Sequence, residues 1–129
     1  MTNAPLWQPS PERIARANIT EFALGIANAT GREFPDYRSL WRWSNDERET
    51  FWRAVWDYAG VVGERGARTL LDAHTMPGAR WFPDARLNFA ENLLAARGED
   101  DAADAVVFRG EDRDRRRLTY GELSAATSR

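Results

Sequence analysis

Apolar residues recur at helical spacing along the first 97 residues of this chain and at strand spacing only beyond them. That change of period predicts an α+β chain, mainly helical, with its sheet confined to the C-terminal third. Ser10-Pro11-Glu12 reads as a helix start: Ser10 can cap free amides, Pro11 suits the first turn, and Glu12 faces the positive end of the dipole. Ala15, Ile19, Phe22, Ala23 and Ile26 then share one face, and the helix should stop near Asn28–Gly31. Residues 32–43 are aromatic-rich and read as irregular. Ser44-Asn45-Asp46-Glu47 has the form of a capping box, opening a second helix with Phe51, Trp52, Val55, Trp56 and Ala59 on one side and Gly60 as its stop. Asp84 is the expected cap of a third helix over 85–97, striped by Leu87, Ala90 and Leu94 and ended by Gly98.

Glu99-Asp100-Asp101-Ala102-Ala103-Asp104 reads as an acidic linker and a boundary. Beyond it, Ala105–Phe108 and Arg116–Thr119 predict a hairpin around a charged turn from Gly110 to Arg115. Thr119-Tyr120-Gly121-Glu122 is a second capping box. The helix it opens runs only two to three turns to Arg129, and a lone two-stranded hairpin is marginal in water. These last elements are expected to open a domain rather than to close one.

Composition excludes several chemistries. The chain has 129 residues and no cysteine, so disulfides, thiol nucleophiles and zinc–thiolate sites are ruled out within it. All 18 basic residues are arginine, so no Schiff base, lysine-assisted adenylation or P-loop lysine can operate here. A net charge of -2 offers no general attraction to nucleic acid or anionic membrane. The mean hydropathy of -0.63 points to extensive loops or to a piece that leans on a larger body. No apolar run approaches the ~20 residues of a membrane span, and Met1–Pro5 does not begin a secretion signal, so a soluble, cytoplasmic chain is expected.

The chemistry-bearing candidates resolve mainly to structural readings. His74 is the sole histidine and has no cysteine or second histidine to share a metal with. Gly60, Gly63 and Gly66 are spaced G-x-x-G-x-x-G, but without a preceding strand, a G-x-G turn or a lysine they read as a loop after a helix stop. Trp7, Trp41, Trp43, Trp52, Trp56 and Trp81 could form a stacking platform for sugars or single-stranded nucleic acid. Trp52 and Trp56, four apart on a helix, favour core or interface packing instead. Arg113, Arg115, Arg116 and Arg117 interleave with Glu111, Asp112 and Asp114 as a solvated turn, and Asp100, Asp101 and Asp104 lie on a linker too flexible for acid–base work. No catalytic, cofactor-binding or metal-binding residue is assigned.

The segment Gly78–Leu94 contains Trp81-Phe82, Leu87-Asn88, Ala90 and Asn92 in the pattern W-F-x-x-x-x-L-N-x-A-x-N. It resembles a signature of short-chain acyl-CoA synthetases. Pro83 and Glu91-Asn92-Leu93-Leu94 are more similar to the acetoacetate–CoA ligase branch of that AMP-dependent synthetase superfamily, as are Pro5–Ile14 and Leu40–Ser44. Leu118–Leu123 resembles the T-Y-x-E-L opening of the AMP-binding domain. The resemblance implies an N-terminal helical extension at 1–36, a cap at 37–98 and the truncated start of the AMP-binding domain at 99–129. It further implies a parent enzyme that joins acetoacetate to coenzyme A with ATP and Mg through an acyl-adenylate, the missing AMP-binding domain being this chain's intramolecular partner. The family's phosphate loop, adenine segment, ribose-binding aspartate and catalytic lysine have no counterpart here, so the chain alone is expected to be inactive. Acetate or propionate enzymes and a standalone Trp-rich interaction module remain open alternatives.

Overall fold

The computed structural model describes residues 6–95, 100–111 and 115–128. Among these, six helices and two antiparallel strand pairs occur, so the mainly helical α+β class is observed. The chain divides into two units. Met1–Gly60 with Thr69–Trp81 forms the first, and Val61–Arg68 with Phe82–Arg129 forms the second.

In the first unit, α1 (Pro11–Ala15) begins as expected, the Ser10 side chain accepting from the Arg13 amide at 3.3 Å. The single helix expected from Ser10 to about Gly31 is instead two. Ala17 is extended (φ -75°, ψ 137°), and α2 (Asn18–Thr30) starts after it. The Thr20 hydroxyl donates to the Ile14 carbonyl at 2.7 Å, which also accepts from the Ala17 amide at 3.1 Å, so the end of α1 is tied to the start of α2. Gly31 ends α2 in the left-handed conformation that favours glycine.

The aromatic stretch expected to be irregular folds as α3 (Tyr37–Asp46). Its capping box is Asp36 with Ser39: the Asp36 carboxylate accepts from the Ser39 amide at 2.7 Å, and the Asp36 amide donates back to the Ser39 hydroxyl. The expected box at Ser44–Glu47 is absent. Ser44 lies inside α3 and its hydroxyl donates to the Trp41 carbonyl at 2.7 Å. Glu47 ends α3 and begins α4 (Arg48–Tyr58), and its carboxylate pairs with Arg32. Gly60, with φ +59°, follows that helix as expected.

Phe22, Leu40 and Trp43 form the buried core, with Ala23, Ile26, Phe34, Phe51, Ala54 and Val55 packed around them. Rings meet edge-on: Phe22 to Phe51 at 5.8 Å, Phe22 to Tyr58 at 5.3 Å and Trp43 to Phe51 at 5.7 Å between centroids. Each fully buried side chain of this size is worth about 1.5–3 kcal/mol, and each ring pair about 0.5–1.5 kcal/mol more. The Trp43 Nε1 is buried without a hydrogen-bond partner. Strands β1 (Leu70–Leu71) and β2 (Arg80–Trp81) pair antiparallel, and Arg80 bonds Asp72 at 2.9 Å. Thr69, 1% exposed, accepts from Arg53 of α4 at 2.6 Å, which ties this ribbon to the helices.

In the second unit, Glu64 and Arg86 exchange two backbone bonds of 2.9 and 2.8 Å. Asp84 does not cap a helix over 85–97. Its carboxylate binds Arg68, and α5 (Phe89–Leu94) begins four residues beyond 85, capped by Asn88, which accepts from the Glu91 amide at 3.3 Å. The expected stop at Gly98 lies outside the described residues. Strands β3 (Asp104–Arg109) and β4 (Arg115–Thr119) form the expected hairpin, whose turn residues 112–114 lie outside the described residues. Helix α6 (Tyr120–Thr127) opens with the expected box: Thr119 accepts from the Glu122 amide at 3.2 Å, and the Thr119 amide donates to the Glu122 carboxylate at 2.9 Å. The described part of the acidic segment is not a free linker. The amides of Tyr120 and Gly121 donate to the Ala103 and Asp101 carbonyls at 3.1 and 3.0 Å. No described residue of this unit is buried.

Candidate interaction surface

Among the described residues, chemistry-bearing side chains do not converge. His74 sits exposed in the turn between β1 and β2, and no cluster of three or more His, Asp or Glu suited to a metal occurs among the described residues. The glycines at 63 and 66 serve a close backbone approach instead of a phosphate. A Cβ at Gly63 would fall 2.7 Å from the Arg86 carbonyl oxygen, and one at Gly66 would fall 2.9 Å from the Asp84 carbonyl. Both carry positive φ, +151° and +76°, where L side chains are strained. They let the loop run against residues 84–87.

Three residues of the W-F-x-x-x-x-L-N-x-A-x-N pattern, Trp81, Asn88 and Asn92, hold local structure. Trp81 lies in β2 opposite Leu70. Asn88 caps α5, and Asn92 clasps the loop. The Asn92 amide nitrogen donates to the Val62 carbonyl at 2.8 Å, while its oxygen accepts from the Val62 amide at 2.8 Å. Arg68 donates through its guanidinium and backbone amide to Asp84. Those hydrogen bonds, Arg68's side chain foremost, hold the Asp84 carboxyl below its ordinary 3.8.

What the first unit does present is apolar surface. Helices α2, α3 and α4 enclose a groove of about 260 Å³ floored by Phe22, Leu40, Phe51 and Val55. Its rim carries Ile19, Tyr37, Trp41 and Tyr58, which are 49%, 69%, 53% and 46% exposed. The Tyr58 hydroxyl donates to the Asn18 carbonyl at 3.1 Å, and partial desolvation together with Glu21 raises its pKa. Of the six tryptophans only Trp43 is buried. Trp52, expected in core or interface packing, is 39% exposed, its ring lying 5.3 Å from that of Trp81. The i, i+4 spacing of Trp52 and Trp56 located a helix face correctly but could not tell a buried face from an exposed one.

Residues 37–93 match the family described as acetyl-coenzyme A synthetase N-terminus. Along nearly its whole length the chain is similar to acetoacetyl-CoA synthetases. It is 47% identical over 97% of its length to the acetoacetyl-coenzyme A synthetase of Rhizobium meliloti (strain 1021), and 27% over 99% to that of Gallus gallus. It is also 32% identical over 92% of its length to a malonamoyl-CoA synthetase of Penicillium aethiopicum. The chain spans only 19%, 19% and 17% of those three proteins. No solved structure matches.

Proposed function

We propose that this chain is the N-terminal portion of an ATP-dependent acetoacetate–CoA ligase and supports that enzyme without supplying its chemistry. The observation that carries this reading is the 47% identity to an acetoacetyl-coenzyme A synthetase along 97% of the chain. In the parent reaction, acetoacetate, ATP and coenzyme A give acetoacetyl-CoA, AMP and diphosphate through an acyl-adenylate. The residues present do not fit ATP and Mg. There is no lysine, the G-x-x-G-x-x-G loop is spent on backbone packing, and the carboxylates of Asp84, Asp104 and Glu122 are taken up by Arg68, Arg117 and the Thr119 amide. Those ligands belong to the remaining four-fifths of the parent.

On this reading residues 1–36 form a helical extension, 37–98 a cap and 99–129 the first elements of the AMP-binding domain. On the same reading the parent enzyme is cytoplasmic. Likeness to a malonamoyl-CoA synthetase as well is what a region remote from the acyl pocket would show. The test is to express the reading frame continued past residue 129 and follow AMP release with acetoacetate, ATP and coenzyme A. Acetoacetate-dependent release is expected from the long protein and none from the 129-residue chain. Acyl-CoA formation by the short chain, or a long protein that takes acetate and ignores acetoacetate, would overturn the assignment.

A further inference from the structure

The β3–β4 ladder pairs Val106 with Leu118, Phe108 with Arg116, Val107 with Arg117 and Arg109 with Arg115. Side chains alternate across a strand, so the hairpin has two unlike faces. Val106, Phe108 and Leu118 share one face with Arg116. Val107 shares the other with Arg109, Arg115 and Arg117, the last paired with Asp104. Val106, Phe108 and Leu118 are 42%, 53% and 40% exposed. Helix α6 meets the ribbon through its first turn, where Tyr120 and Gly121 bond Ala103 and Asp101, and it leaves those three side chains open. A two-stranded ribbon normally needs a further strand or layer on its apolar face to persist in water.

We propose that the Val106–Phe108–Leu118 face is a docking face, covered by an apolar surface of the polypeptide that continues past residue 129 in the parent enzyme. This rests on the functional reading above and adds to it which face is covered and by what. Two observations select that occupant over a second copy of the chain. The first is area. A stable dimer buries about 800 Å² per partner, which three side chains already half covered do not approach, whereas a tethered partner needs no such area because its effective concentration is high. The second is supply. The relatives carry roughly four-fifths of their length outside the matched region, and α6 follows β4 directly, so added chain starts one short helix, about 12 Å of rise, from the end of this ribbon.

The test is hydroxyl-radical footprinting of the long protein, native and unfolded in urea, with mass-spectrometric readout at Phe108 and Leu118. Labelling at least five-fold slower in the native protein is expected. Labelling within two-fold of the unfolded rate would overturn the proposal. So would a concentration-dependent dimer of the 129-residue chain that protects Phe108 while the long protein leaves it open. Acetoacetate-dependent AMP release is measured on the same preparation. Activity with an unprotected Phe108 sinks the docking face alone, and inactivity with other acids accepted sinks the functional reading. Phe108→Ser with Leu118→Ser should lower the thermal midpoint of the long protein; if the pair prevents folding, footprinting of the unsubstituted protein still decides.

Discussion

Gly66 has φ +76°, and a methyl group there would lie 2.5 Å from the Asp84 Cβ. Strain of this kind costs about 1–3 kcal/mol, and the neighbour it strikes is partly backbone, which cannot swing aside. Gly66→Ala should therefore loosen the Glu64–Arg86 bridge, and exchange of those two amides should quicken by about ten-fold or more. Unchanged exchange would mean the loop does not depend on this approach. Asp84, on the other side of it, is held by Arg68. Because its folded pKa is depressed, its contribution is present above the unfolded value, about 3.9, and is lost as pH falls through the folded one. Asp84→Asn should accordingly lower the midpoint of the circular-dichroism melt near neutrality, the difference from the parent sequence shrinking below about pH 4. A difference that persists undiminished in acid would show that charge is not what Asp84 contributes.

At the scale of elements, signals confined to neighbouring residues were legible and those settled by tertiary contacts were not. Thr119 and Glu122 form their reciprocal box, and β3 and β4 pair, because the information for each lies within a few residues. Thr119→Ala should weaken α6 by about 1 kcal/mol, seen as lost helical signal in far-UV circular dichroism, while Thr119→Ser should retain it. Equal loss for both would assign the effect to packing and not to the hydroxyl. Ser44 and Glu47 have the same spacing and failed, since burying Leu40 and Trp43 extends α3 through Ser44 and Glu47 turns to Arg32. The true cap, Asp36 with Ser39, was readable in kind but carries serine where Glu or Gln is the usual signature. Nothing in the composition of Arg16 and Ala17 announces the break between α1 and α2. The glycine triplet shows the same limit at the candidate site: its spacing was visible, but the backbone it had to clear, residues 84–87, lies some twenty positions away.

Across the whole chain, burial is unevenly shared. Phe22, Leu40, Trp43 and Thr69 are the buried residues among those described, and all four belong to the first unit. The second unit holds its hairpin, bridge and two helices by caps, ladders and ion pairs with no described side chain fully removed from water. Hydrogen bonds contribute about 0.5–1.5 kcal/mol each and exposed ion pairs less, against roughly 1–2 kcal/mol of backbone entropy for every residue ordered. Such a unit opens easily by itself. All six tryptophans lie in the first unit, so their fluorescence follows that unit alone. In the 129-residue chain the Val107 and Arg117 amides should therefore exchange at least about 100-fold faster than those of Leu40 and Trp43, and should open at urea concentrations below the tryptophan transition. If the proposed docking face is right, continuing the polypeptide past residue 129 should bring the two sets of amides to comparable protection, because cover for the ribbon is then supplied in the same molecule. One shared transition in the short chain would mean that caps and ladders alone hold the second unit, and the need for a larger body would fall with it.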